Sequence, residues 1–370
     1  MGHSPKSRAK LYWYPHKKPK GSIIMSKVKE IKTELEKIGT GYGLTSLTTR
    51  TYKVEKSNAF ASLKKAIELA KESGHKAYFN AGEFYGPNYA NLKLLKDFFN
   101  EYPNLRSDVL ISCKGALDNS TLAAKGKYDD VVASVKVCLK EIGGYIDIFE
   151  PARIDMSICK PGQVYPEETF EAITPFVDSG EIGSISLSEV NADQINAIVR
   201  DYSDYLVCVE VELSLFCDDI LKDGVAKACS DHNLAIICYS PLGRGMLTGQ
   251  WNTNADIPDE DFRKKLRIFQ DDALQNNRKL VEFVQSEIVS KRPAEKQITM
   301  AQVALAWIRK WSHSAMYPNS RFIPIPSGST AARVAENFDE SKSVISVDEF
   351  TKINNFVDTF VPSGGRYEFI

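Results

Sequence analysis

The sequence predicts an α/β fold: one (β/α)8 barrel of the TIM type, a single domain with long loops at the carboxyl ends of its strands. Three observations carry this. Short β-type runs alternate with longer stretches whose apolar residues recur at helical spacing, and strict alternation implies parallel strands. Eight such units imply closure rather than an open sheet. The 370-residue chain is long for one core, yet barrels commonly run to ~250 residues and more as one domain.

The strand runs, in order, are Ile38–Gly41, Lys76–Asn80, Asp108–Lys114, Ile146–Ala152, Ile182–Ser188, Cys208–Leu213, Ala235–Ser240 and Phe322–Pro326. Each is short and rich in apolar residues, as a strand buried on both faces must be. Helical periodicity fills the intervals. Phe60, Leu63 and Ile67 mark Ala59–Ala70; Val132, Val135 and Leu139 mark Asp129–Glu141; Phe170, Ile173 and Val177 mark Pro166–Ser179. Asp193–Arg200, Asp219–Cys229, Asp271–Val289 and Thr299–Trp311 follow the same rule. Residues from Gly249 to about Gln270 show no regular pattern and read as a long loop after strand seven, a usual place for a lid. The competing architecture is an open doubly wound sheet, which needs G-x-G-x-x-G after its first strand. Gly39-Thr-Gly41-Tyr-Gly43 has the wrong spacing and no helix directly after it, so a turn is its expected role.

Composition sets further bounds. A formal net charge of −1 argues against nucleic acid or a membrane surface as the main partner. No window approaches the ~18 uncharged apolar residues of a membrane span. Seven scattered cysteines form no C-x-x-C pair and no Cys/His cluster. Reduced core thiols in a cytoplasmic setting, with a nuclear one also open, and no metal site are therefore expected. Residues 1–24 carry Lys6, Arg8, Lys10, Lys17, Lys18 and Lys20 with no acid, together with Pro5, Pro15 and Pro19. A basic, acid-free segment fits a targeting presequence, but the prolines and the missing apolar face favour an unstructured tail. The barrel domain is accordingly assigned to residues 25–370.

In a barrel, the residues ending the strands share one mouth. Here they are Asn80 with Gly82-Glu83-Phe84-Tyr85-Gly86, then Lys114, then Glu150-Pro-Ala152-Arg153. Ser188-Glu189, Glu210 with Glu212, and Tyr239-Ser240 complete the ring. A lysine ending the apolar run Val109-Leu-Ile-Ser-Cys113 needs a partner or a purpose. Its bland role is a structural ion pair. Beside a tyrosine it has another: an ammonium favours the phenolate, lowering the tyrosine pKa toward a range where it can donate a proton to a carbonyl oxygen. Tyr85 and Lys114 are that pair, and Gly82 and Gly86 let the loop bring the hydroxyl inward.

These segments resemble the aldo-keto reductases. Asn80-Ala-Gly-Glu-Phe-Tyr85-Gly is similar to their Asp-x-Ala-x-x-Tyr-Gly motif, and Ile111-Ser-Cys-Lys114 to their lysine strand. Gly183-Ser-Ile-Ser-Leu-Ser188 resembles the Gly-Leu-Ser strand, and Val209-Glu-Val-Glu212-Leu-Ser the Gln-x-Glu-Tyr-Ser strand. Tyr239-Ser-Pro-Leu-Gly-Arg-Gly245 resembles the cofactor loop. Ile323-Pro-Ile-Pro326 with Arg333-Val-Ala-Glu336-Asn337 resembles the adenosine-phosphate site. Within the superfamily, Asn80–Gly86, Ile142–Phe149, Cys208–Leu215 and Phe322–Ser329 are most similar to the fungal pyridoxal reductases. The resemblance implies an Asp, Tyr, Lys, His tetrad, and this chain departs from it twice. Asn80 stands at the aspartate position and Ala152 at the histidine position. Asn80 is expected to accept a hydrogen bond from Lys114 without neutralising it, leaving the tyrosine at least as acidic. Glu150, two residues before Ala152, shares its face. A neutral carboxyl there could stand in for the imidazole; a salt bridge with Arg153 or a lysine inside the barrel is the equal alternative. Glu83 is a weaker surrogate.

The resemblance also implies NADPH. Tyr239 would stack on the nicotinamide, and Ser188, Glu189 and Glu210 would meet its carboxamide. Ser240, Leu242 and Arg244 would flank the pyrophosphate. Ser329 and Arg333 would read the 2′-phosphate, and Glu336 and Asn337 the adenine. The reaction it implies is hydride transfer to a small-molecule aldehyde, pyridoxal to pyridoxine, with Tyr85 as proton donor. A pocket lined by Phe84, Tyr42 and Trp251 would suit an aromatic ring. Three alternatives stay open: a general aromatic aldehyde reductase, an NADPH-holding redox sensor with little turnover, and a lyase forming a Schiff base on Lys114.

Overall fold

The structure, a computed structural model, describes residues 22–368; most of the expected basic tail lies outside the described residues. Eight parallel strands run in chain order: β1 Tyr42–Gly43, β2 Ala77–Gly82, β3 Val109–Gly115, β4 Ile148–Pro151, β5 Ile185–Ser188, β6 Leu206–Glu212, β7 Ala235–Tyr239 and β8 Phe322–Pro324. The first and last meet: Gly41 N donates to Pro324 O at 2.9 Å, Gly43 N to Pro326 O at 3.2 Å, and Gly43 bridges to Ser327. The expected (β/α)8 barrel is therefore what forms. Eight helices follow the strands on the outside: α2 Lys56–Glu72, α3 Ala90–Glu101, α4 Tyr128–Ile142, α5 Glu167–Asp178, α6 Ala192–Tyr202, α7 Val225–Asp231, α9 Met300–Lys310 and α10 Ala331–Phe338. Three more are additions to the barrel: α1 Ser22–Leu35, α8 Asp271–Phe283 and α11 Val347–Val357.

Period-two alternation divides the apolar residues into two cores. Outward-facing Phe79, Ile111, Phe149, Leu187, Val209 and Ile236 pack under the helices. Inward-facing Tyr78, Leu110, Ile148, Cys208, Ile237, Ile323 and Ile325 fill the lumen, which Val28, Ile31 and Leu35 of α1 plug from below. The lumen changes character one layer higher. The register sets Asn80 beside Ser112, Lys114 beside Glu150, and Ser188 beside Glu210. An apolar floor under a polar ring is what these strands' sequences dictate: Leu110 gives way to Lys114 along β3, Ile148 to Glu150 along β4, and Cys208 to Glu210 along β6.

Several expected bounds shift for local reasons. The first strand begins at Tyr42 rather than Ile38, because Ile38 belongs to the lumen floor and ladder pairing starts only above it. The helix expected over Asp219–Cys229 is a 3₁₀ turn, Asp219–Leu221, then α7; Gly224 between them sits at φ 92°. The expected Asp271–Val289 helix closes with a π-helical stretch over Val284–Val289. The long loop after β7 is less irregular than its sequence suggests. Short 3₁₀ turns fold Ile257, Leu266, Ile268 and Phe269 onto Met246 and Leu274 as a small core of their own.

Closure depends on glycine at position 43. A Cβ there would stand 2.8 Å from the Ile325 carbonyl oxygen and 3.2 Å from Ser327 Oγ. Gly43→Ala is expected to spread β1 from β8 and cost about 1–3 kcal/mol, read as a lowered midpoint in thermal unfolding. An unchanged midpoint would mean that the seam tolerates expansion.

Candidate active site

At the top of the lumen the strands bring one cation and two carboxyls together. Lys114, ending β3, points inward and is nearly buried; Glu210 of β6 and Glu150 of β4 are fully buried. Lys114 Nζ donates to Glu210 Oε1 at 2.5 Å and lies 3.7 Å from Glu150 Oε1. Asn80 does not follow the expected pattern. Its Nδ2 donates to Glu210 Oε2 at 2.6 Å, while its Oδ1 faces the Tyr85 hydroxyl at 3.4 Å. The lysine is therefore neutralised, by a carboxylate from across the barrel rather than from its own side. Both oxygens of Glu210 accept hydrogen bonds and the residue is sealed from solvent, so it forms one side of a buried ion pair.

The electrostatics follow from this burial. Desolvation pushes the Tyr85 phenol above its usual value, and the Lys114 ammonium recovers only part of that. The expectation of an acidified tyrosine is thus corrected: the hydroxyl holds its proton at neutral pH and can give it up only as negative charge develops on an acceptor. Burial would lower Lys114, but the attraction of Glu210, Tyr85 and Glu150 raises it well above the ordinary lysine value, so it stays an ammonium. Glu150 is the opposite case. Burial and repulsion from Glu210 lift it well above the carboxylate range. Neither of its oxygens has a hydrogen-bond partner among the described residues. Its neighbour is the lysine inside the barrel, not Arg153, which is exposed and lies over the Tyr367 ring. Glu83 is withdrawn from the site, accepting from Ser134 Oγ on α4 at 2.6 Å.

Tyr239, ending β7, lays its ring 5.3 Å from Lys114 Nζ. Over it comes the segment from Arg366, which the family resemblance covers without giving it a role. Arg366 donates through Nη2 to the Tyr239 hydroxyl at 2.5 Å, pairs with Glu189 at 2.9 Å, and meets Glu212 through Nε at 2.8 Å. Tyr367 reaches the same hydroxyl at 3.1 Å. The segment Ser363–Glu368 thus crosses the mouth, tied by Arg267 N to Glu368 O and Ser363 N to Asn277 Oδ1. An arginine and a tyrosine side by side near the end of the chain were the available signal. Arg244, expected beside a pyrophosphate, is bidentate to Glu212 at 2.9 and 3.1 Å. Ser188 is buried at the rim, Leu242 is buried, and Ser240 takes a left-handed φ of 50° where the chain turns away from β7. Tyr42 is not a pocket residue: it is fully buried, donates to the Gly328 carbonyl, and packs edge-on to Phe79. Phe84 packs edge-on to Tyr85, and Trp251 sits under Arg263 in the loop after β7.

Around the rim from Tyr239, the start of α10 offers a second cluster. Arg333 is exposed and holds Glu336 at 2.6 Å; Ser329 Oγ lies 3.5 Å from Tyr52 OH. Asn337 is buried with its Oδ1 unpartnered, an acceptor aimed at a donor the chain does not supply. An exposed guanidinium for a phosphate and an orphan acceptor for an amino group are donor and acceptor types that fit the adenosine-phosphate end of a nicotinamide dinucleotide. Among the described residues no group of His, Cys, Asp and Glu could hold a metal ion, and no helix is long and apolar enough to cross a membrane.

The sequence pattern of the Aldo/keto reductase family matches residues 40–358. Among curated proteins, one from Saccharomyces cerevisiae named "Putative pyridoxal reductase" is 54% identical over 341 residues, spanning 92% of this chain and 99% of that protein. A Schizosaccharomyces pombe protein named "Probable pyridoxal reductase 2" is 32% identical, over 88% of this chain and 93% of that one. A second from S. pombe, an "Aldo-keto reductase yakc" whose name carries NADP(+), is 27% identical over 78% of this chain and 81% of its own length.

The buried, raised carboxyl gives a pH-dependent stability. Below the usual glutamate range Glu150 is protonated folded and unfolded alike. Above that range only the folded state must keep the proton, so its contribution is lost as pH rises toward the folded value. Glu150→Gln is expected to unfold near the wild-type temperature at pH ~4 and at a progressively higher one, relative to wild type, toward pH ~8. A difference that stays flat across that range would show Glu150 to be ionised.

Proposed function

Since the chain belongs to the aldo/keto reductase family, whose members are nicotinamide-dependent oxidoreductases, we propose that it reduces an aldehyde with NADPH, pyridoxal to pyridoxine, using Tyr85 as the proton donor. The observation that carries the reading is the convergence of three groups at the lumen top: the Tyr85 hydroxyl, the Lys114 ammonium that pulls on it, and the Tyr239 ring beside that ammonium. The relatives named as pyridoxal reductases support the substrate, and the exposed Arg333 guanidinium supports a 2′-phosphate over its absence.

NADPH, when bound, supplies the hydride. The residues do the rest. Tyr239 offers a flat face at the end of β7 for the nicotinamide ring. Tyr85 hydrogen-bonds the carbonyl oxygen and transfers its proton as negative charge develops there; Lys114 stabilises the phenolate left behind. A phenol whose proton is held tightly at rest is suited to this, because it releases the proton to an alkoxide and not to water. Phe84, flanking Tyr85, supplies apolar surface for an aromatic substrate.

Initial rates with pyridoxal, pyridoxal phosphate and simple aromatic aldehydes, each with NADPH and NADH, test this directly. Pyridoxal with NADPH is expected to lead. An even ranking would leave a general aldehyde reductase, and tight NADPH binding without turnover a redox sensor. Tyr85→Phe should lower kcat by about 10²–10⁴-fold with NADPH binding, followed by cofactor fluorescence, unchanged. Arg333→Ala should raise KM for NADPH roughly tenfold or more and leave that for NADH alone; equal effects on both would remove the phosphate role.

A further inference from the structure

One contact in the lumen spans the whole barrel. In a closed ring of eight strands β2 and β6 lie on opposite sides, yet Asn80 of β2 and Glu210 of β6 share a 2.6 Å hydrogen bond. Glu210 uses its other oxygen for Lys114, at 2.5 Å. No other carboxyl among the described residues is as near the ammonium: Glu150 stands back at 3.7 Å and has no hydrogen-bond partner. The remaining groups facing Lys114 are the Tyr85 hydroxyl and the Tyr239 ring. We propose that Glu210 is the positioning residue of the site, clamping the Lys114 ammonium beneath Tyr85 from across the lumen, with the Asn80 amide fixing the carboxylate's second oxygen. This rests on the reductase reading and adds to it the origin of the lysine's orientation and charge.

The geometry explains why the clamp works from so far away. A carboxylate bound at one oxygen only can rotate and carry the lysine with it. Bound at both, in a dry lumen, it has one orientation. Asn80 therefore acts twice: Nδ2 orients Glu210, and Oδ1 faces the Tyr85 hydroxyl. The two side chains can also trade chemistry. Asn80→Asp made together with Glu210→Gln keeps the shape of both side chains and exchanges amide and carboxylate along one hydrogen bond. The cross-barrel bond survives with its direction reversed, the β6 amide now donating and the β2 carboxylate accepting. Negative charge moves to the β2 side, next to Tyr85.

The test uses the full chain with Glu150→Gln as a common background, so that the neighbouring carboxyl cannot replace Glu210. Glu210→Gln should then lower kcat by about a hundredfold, with the NADPH dissociation constant changed far less. The titration of Lys114, followed by NMR of carbon-labelled lysine and assigned with Lys114→Arg, should shift to lower pH. The exchanged variant, Asn80→Asp with Glu210→Gln, should recover both kcat and the lysine titration to within about tenfold and about one pH unit, the coupling expected of two residues in one network. It also preserves packing should Glu210→Gln alone fold poorly. A Glu210→Gln variant that loses NADPH affinity while kcat and the lysine titration hold would overturn the proposal. So would an exchanged variant no better than the single one. Absence of turnover by the unsubstituted protein with every aldehyde would strike the reductase reading alone, since the lysine titration decides the clamp without catalysis.

Discussion

A single buried ammonium organises the top of this barrel. Lys114 leaves the end of a strand whose other inward residues are Leu110 and Ser112, and it enters a lumen closed from below by α1. Taking that charge out of water is unfavourable unless a carboxylate meets it with good geometry. Glu210 does so, and the consequences spread outward. The carboxylate must itself be held, which commits Asn80. A second carboxyl in the same dry space is pushed toward its protonated form by burial and by Glu210, which is the direction Glu150 takes. The phenol above the ammonium is then both buried and steadied, with the Tyr239 ring beside that ammonium.

The same logic governs the rim at lower intensity. Glu189 and Glu212 bring negative charge to the mouth, and two arginines answer it: Arg244 from the loop after β7 and Arg366 from the chain's end. Because Arg366 and Tyr367 both reach the Tyr239 hydroxyl, the last described residues are tied to the ring against which a nicotinamide would lie. A cofactor entering this mouth meets an ion-pair network already satisfied without it. Arg333 and Asn337 stand outside that network, one exposed to solvent and the other with an unused acceptor.

Legibility in the sequence differed by distance along the chain. The alternation of β-type runs and helical spacing was enough for eight strands and their closure, since both periods are local properties. Tyr85, Lys114 and Tyr239 were also visible, because a barrel delivers every strand end to one mouth whatever the loops do. What failed were judgements about who meets whom. Asn80 was matched with Lys114 because it stands at the aspartate position of the tetrad, whereas the ammonium is met from across the lumen by Glu210 of β6. The acidified tyrosine was inferred from its cation alone, and burial outweighs that attraction.

From the amino-acid order alone came the architecture, the family resemblance and the roster of residues at the mouth, because periodicity and strand ends are written in consecutive positions. Only the folded barrel decided which carboxyl meets the ammonium, which stands back from it, and that Arg366 crosses the opening 127 positions after the tyrosine it touches. Those outcomes depend on distances between residues far apart in the chain and on how much water each has lost, and neither quantity exists until the ring of strands has closed.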